Sequence, residues 1–245
     1  MCLIALAYKA HPRFPLIVAA NRDEFLDRPA EAAHFWPDAP QLLAGRDLRA
    51  GGTWLGITRG GCFAAITNYR EMRMIFPQGP SRGGLVRQAL EGSIDTRTSS
   101  AYSGFNLLYG PVNALRYHNN IDGRDDELVP GVHGLSNHLL DTPWPKVVNA
   151  KAAMTGLLGE THEAIIHVLF NLLADDGTAP DEQLPDTGLP LEMERAASAA
   201  FIRTPNYGTR CSTVLVVDAH GKVYFEERTW PGGGKVVEEL QLATH

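Results

Sequence analysis

Apolar residues gather in short runs at both ends of the chain and recur at helical spacing in its middle. Cys2-Leu3-Ile4-Ala5-Leu6-Ala7-Tyr8 and Leu16-Ile17-Val18-Ala19-Ala20 read as two strands. The stretch from Lys9 to Phe14, with Pro12 inside it, joins them as a hairpin. A polar tetrad, Asn21-Arg22-Asp23-Glu24, closes the second run, so hairpin pairing draws Arg22 and Asp23 towards Cys2. Residues 53–58 and 62–67 form another strand pair, turned tightly at Arg59-Gly60-Gly61. Ser81 is placed to cap a helix reaching about Glu91, with Leu85, Val86, Ala89 and Leu90 on one face. Residues 105–109 and 114–117 predict a further hairpin.

The middle is helical. Pro145 opens one helix, since its missing N–H needs no partner in a first turn. Thr161 and Glu163 open a second, carrying Ile165, Leu169, Phe170 and Leu173. Residues 175–190 are rich in Pro, Gly and Asp and predict an exposed loop, followed by a short helix over 191–200. Residues 212–217 and 222–227 return to strand, and Gly232-Gly233-Gly234-Lys235 reads as a flexible turn. Strands, then helices, then strands predict one layered α+β domain over residues 1–245.

Charge narrows the partners. A formal net charge of -6 on 245 residues argues against nucleic-acid binding, which calls for a basic surface. No apolar run approaches the ~20 residues of a membrane span, and no secretory signal is visible, so a cytoplasmic location is expected. The three cysteines, Cys2, Cys62 and Cys211, are odd in number and far apart, which fits a reducing compartment. The histidines lack metal-site spacing, so no metal centre is expected.

Cys2 is the leading chemical candidate. If Met1 is removed, thiol and α-amine share one residue, and the amine, titrating near pH ~8, can take the thiol proton. Read alone, a cysteine near an N-terminus is usually a small buried apolar residue, and the polar tetrad on the partner strand is what raises the chemical reading. Other polar side chains sit at strand ends: Asn68, Asn137 and Arg210. An amide can donate to a developing oxyanion and an arginine can orient a carboxylate, although each residue also suits a turn. Gly51-Gly52-Thr53-Trp54 offers close backbone approach to a ligand, with Trp54 as an apolar wall.

Taken together, Met1-Cys2-Leu3-Ile4, Asn21-Arg22-Asp23-Glu24, Gly51-Gly52-Thr53-Trp54, Thr67-Asn68-Tyr69-Arg70, Leu135-Ser136-Asn137 with Pro143-Trp144-Pro145-Lys146, and Tyr207-Gly208-Thr209-Arg210 closely resemble the NRDE family. This is the family of the transport and Golgi organisation 2 protein. The resemblance implies a four-layer α-β-β-α sandwich of the N-terminal-nucleophile (Ntn) hydrolase type. A more distant similarity to cysteine Ntn acylases, such as bile salt hydrolases, implies Cys2 as nucleophile. It also implies Arg22 and Asp23 as its supports, and Asn68 and Asn137 at the oxyanion. Asn21, Trp54 and Arg210 are the expected ligand-binding residues. Two functions follow as expectations. The first is a cysteine hydrolase of a C–N amide or acyl bond in a small molecule, needing no cofactor. The second is a non-catalytic carrier of haem or another hydrophobic ligand, in line with the haem trafficking proposed for the family.

Overall fold

The computed structural model describes residues 2–243, so the fate of Met1 lies outside the described residues. Among them, the first half of the chain forms β1 (Cys2–Tyr8), β2 (Leu16–Phe25), β3 (Ala30–Trp36), β4 (Ala39–Asp47), β5 (Leu55–Thr58), β6 (Cys62–Asn68), α1 (Gly83–Leu90) and β7 (Phe105–Pro111). The second half forms β8 (Arg116–Asn119), β9 (Asp125–Glu127), β10 (Gly131–Leu135), α2 (Pro145–Gly156), α3 (His162–Leu173), α4 (Leu191–Ser198), β11 (Tyr207–Val217), β12 (Lys222–Thr229) and β13 (Lys235–Gln241).

The strands build two antiparallel sheets. One runs β10-β1-β2-β11-β12-β13 and the other β3-β4-β5-β6-β7-β8-β9. Strand alternation divides the core into three apolar layers. Ile4, Leu6 and Tyr8 of β1 point between the sheets, where they meet Leu43, Phe63 and Leu108. Leu3, Ala5 and Ala7 point the other way, against Val147 and Met154 of α2 and Leu169 of α3. Leu85 and Val86 of α1 cover the outer face of the second sheet. The result is the expected α-β-β-α layering. No helix among the described residues is long and apolar enough to cross a membrane.

Three local readings change. The polar tetrad does not end β2, which continues to Phe25 because β11 pairs with it beyond Arg22, where β1 begins. Ser81 supplies no side-chain cap; α1 starts one residue after Arg82, and the Ser81 carbonyl accepts from the Gly84 N–H. The flexible turn at Gly232 to Lys235 is the tip of a hairpin into β13, an edge strand whose charged positions conceal it in the sequence.

Candidate active site

Cys2 opens β1 and pairs directly with Arg22 of β2, at the end of the first sheet where the two sheets part. A cavity of about 410 Å³ opens there, walled by Cys2, Arg22, Trp54, Asn68 and Arg82 among others. Adjacent residues on a strand face opposite ways. Arg22 therefore enters the space between the sheets with Cys2, while Asn21 and Asp23 turn towards the helices.

Arg22 is held on two sides. Its Nη2 donates to Asp47 Oδ2 at 3.0 Å, and its guanidinium carbon lies 4.2 Å from the centre of the Trp54 ring. Its Nη1 is buried and has no hydrogen-bond partner among the described residues. Trp54 owes its seat to Gly45, where a Cβ would lie 2.3 Å from the indole. Asp47 also accepts from Arg28 Nε at 2.6 Å and from the Arg49 and Ala50 N–H groups at 3.1 and 2.9 Å. Burial pushes the Asp47 carboxyl up, but the Arg28 and Arg22 guanidinium groups outweigh it and hold it below the usual carboxylate range.

Asp23 contributes from the far side of the strand. Its Oδ1 accepts from Thr209 Oγ1 at 2.7 Å. Burial raises its carboxyl, opposed by the positive charge of Lys146. A β-bulge explains the neighbouring Arg210: Thr209 pairs with Asp23 and Cys211 with Arg22, so Arg210 is the extra residue. Its guanidinium braces the Phe25 and Arg28 carbonyls at 2.7 and 2.9 Å, away from the cavity. Asn21 is likewise absent from the main cavity wall. It is 1% exposed, donates to the Leu173 and Ala200 carbonyls at 2.8 and 2.7 Å, and accepts from Ser212 Oγ.

The two asparagines divide their work. Asn68 lines the cavity. Asn137 lies behind Cys2: its Oδ1 accepts from the Cys2 N–H at 3.4 Å, and its Nδ2 donates to the Asn68 carbonyl at 2.9 Å. Its amide is thus engaged with backbone. The thiol itself is pushed up by burial, an effect that the Arg22 charge and an Asp23 backbone hydrogen bond oppose. Cys62 is raised by burial, and Cys211 is driven much further up. All three cysteines are free.

Cys2, Arg22, Asp23, Asn68 and Trp54 therefore meet at one cavity, Asn137 secures it from behind, and Asn21 and Arg210 brace neighbouring structure. Sequence reasoning misses Asp47, Arg28 and Arg82. Nothing in the sequence separates these from ordinary surface charges until the end of β4, the turn after β2 and the residue before α1 converge. It also misses Lys146, although that residue lies inside the Pro143-Trp144-Pro145-Lys146 motif.

The two-sheet fold is shared with a solved structure. A conjugated bile acid hydrolase from Clostridium perfringens superposes with a TM-score of 0.53, at 7% sequence identity, over 98% of this chain and 92% of that one. Sequence gives the narrower relationship. Residues 1–232 match the family model described as Transport and Golgi organisation 2. The Bos taurus homolog of that protein is 36% identical, over 95% of this chain and 94% of its own length. The Homo sapiens homolog is 34% identical, over 94% and 93%. The chain belongs to the Transport and Golgi organisation 2 family.

Proposed function

We propose that the protein is a cysteine hydrolase that cleaves a C–N amide bond, or a related acyl bond, in a small molecule. The observation that carries this reading is the placement of Cys2 on a cavity wall beside an arginine braced by Asp47 and Trp54.

Removal of Met1 exposes the Cys2 α-amine, which takes the thiol proton. The sulfur bonds to the substrate carbonyl carbon, and the carbonyl π electrons move onto oxygen. Arg22 and the Asn68 amide are the donors for that oxyanion; one such donor contributes ~3 kcal/mol in acyl-transfer enzymes. Collapse breaks the C–N bond, and the departing amine takes the proton from the α-ammonium. Water then hydrolyses the thioester through the same amine, releasing the acid and regenerating the thiol. Asn137, bonded to the Cys2 nitrogen, orients the base.

The wall composition favours this reading over a haem carrier. Haem calls for an apolar slot and usually an axial His, Cys, Met or Tyr. This wall carries arginines, carboxylates and serines, with Cys2 its one residue of those four types among the described residues.

The test is to incubate the native protein with N-acyl amides and activated acyl esters, quench in acid, and map adducts by mass. An acyl group on the Cys2 peptide, with turnover abolished in Cys2→Ala, is the expected result. Intact mass reports the state of Met1. No adduct and no Cys2-dependent turnover, together with haem binding that survives Cys2→Ala, would replace the enzyme by the carrier.

A further inference from the structure

Three arginines stand on the cavity wall, and they are not equivalent. Arg22 and Arg28 share the Asp47 carboxylate, at 3.0 and 2.6 Å, and Arg28 also lies 3.9 Å from Glu24. Arg82 forms no ion pair among the described residues, and its one hydrogen bond there runs from Nη1 to the Gly104 carbonyl at 3.0 Å. That bond leaves the edge formed by Nε and Nη2, two parallel donors spaced like the two oxygens of a carboxylate. The residue is half-buried, yet neither atom of that edge is closed off from solvent, in contrast to Arg22 Nη1.

The backbone fixes where that edge sits. Arg82 immediately precedes α1, and the Gly83 carbonyl accepts from the Thr53 N–H at 3.2 Å. A Cβ on Gly52 would lie 2.4 Å from the Gly83 carbonyl carbon, so glycine is what lets the two segments touch. The close approach read from Gly51-Gly52-Thr53-Trp54 therefore serves the start of α1, and it sets Arg82 on the same wall as Trp54. Charge elsewhere does not draw an anion in. The formal net charge of -6 repels anions at long range. The wall carboxylates are themselves held: Asp47 by Arg22 and Arg28, Asp23 by Thr209, and Glu24 by the Phe25 N–H at 2.9 Å. Burial lowers the Arg82 guanidinium from its ordinary value, whereas Asp47 raises that of Arg28.

We propose that the Cys2 cavity takes small amides or acyl compounds that carry a carboxylate, and that Arg82 receives this carboxylate on its Nε–Nη2 edge. The proposal rests on the hydrolase reading only for what becomes of the bound molecule; recognition of the carboxylate stands on the wall itself. Arg82 acts at the charged end of the substrate and takes no part in breaking the bond, so its loss is expressed in KM.

Binding is measured by NMR titration on the full chain carrying Cys2→Ala, which separates recognition from turnover. The probes are N-acetylglycine and succinamic acid, which carry the carboxylate on opposite sides of the amide, each beside its neutral carboxamide. At least one acid should bind about tenfold or more tightly than its carboxamide, as charge-assisted bonds to one guanidinium allow, and should shift the Arg82 Nε–H signal. In Arg82→Gln the preference falls to about twofold or less. Arg82→Lys, a point charge without the fork, restores a part of it. A cooperative melt checks that each variant is folded. Equal affinity for acid and carboxamide, no binding of either acid at millimolar concentration, or an undiminished preference in folded Arg82→Gln would overturn the proposal. Arg82-dependent binding with no Cys2 adduct from any acyl donor on the native protein would remove the hydrolase reading and leave the carboxylate site standing. Acylation of Cys2 by neutral esters, with no preference for the acids, would keep the hydrolase and remove the carboxylate site.

Discussion

Replacing Asp47 by alanine tests the scaffold of the site. Asp47 receives Arg22 Nη2 at 3.0 Å, Arg28 Nε at 2.6 Å and Nη2 at 3.3 Å, and two backbone N–H groups of the following turn. The variant leaves a buried guanidinium against the Trp54 face without its carboxylate. Breaking a buried pair by removing one partner costs ~3–5 kcal/mol. The lower end applies here, because the Arg28 side chain is 23% exposed and water reaches it. At ~2–4 °C per kcal/mol for a domain of this size, Asp47→Ala lowers the melting temperature by ~6–12 °C near pH 7. The sign of the pH dependence follows from the depressed carboxyl. Its contribution is complete above the unfolded value of ~4 and is lost as pH falls through the lower folded value. Calorimetric scans of both proteins between pH 3 and 8 provide the assay. The gap should be widest near neutrality and close in acid. A gap below about 2 °C at pH 7, less than a single kcal/mol would produce, or a gap of constant size across the range, refutes the reasoning.

Other substitutions separate bracing from chemistry. Asn21→Ala strands two buried carbonyls and should destabilise the protein by ~2–4 kcal/mol in urea unfolding, while the Cys2 alkylation rate stays within about twofold; a slowed thiol with intact stability would place Asn21 in the site after all. Arg82 lines the cavity, donates to the Gly104 carbonyl at 3.0 Å, and forms no ion pair among the described residues. Its charge should favour anionic reagents, so Arg82→Gln should lower the ratio of iodoacetate to iodoacetamide labelling at Cys2 by about fivefold, and an unchanged ratio would remove Arg82 from ligand selection.

The hairpin of β1 and β2 is legible because its partners are close in sequence and both runs are apolar on two faces. Cys2 opposite Arg22 follows from it. Orientation within the tetrad is harder to extract. Asn21 is claimed by the Leu173 and Ala200 carbonyls, partners distant in the sequence that the tetrad itself does not announce. Arg210 escapes because a bulge after Thr209 shifts the register, and no local residue pattern announces it. Asp47 and Lys146 arrive from β4 and α2, and their roles arise from burial beside charges distant in the sequence. Sheet order decides that burial, and sheet order is not readable from the residues alone.

Asn137 has a mechanical consequence. It joins the end of β10 to the end of β6, donating to the Asn68 carbonyl while its own carbonyl accepts from the Arg70 N–H at 2.7 Å. Those bonds run from one sheet to the other, directly behind Cys2. The gap between Cys2 and Asn68 behaves as the fixed jaw of a vice. The opposite jaw is the rim at Gly79 to Gly83, reached through an exposed loop whose Ile75 is 98% exposed. The separation of Cys2 from the Asn68 carbonyl is therefore set by bonds that tie both sheets to Asn137, and not by the rim.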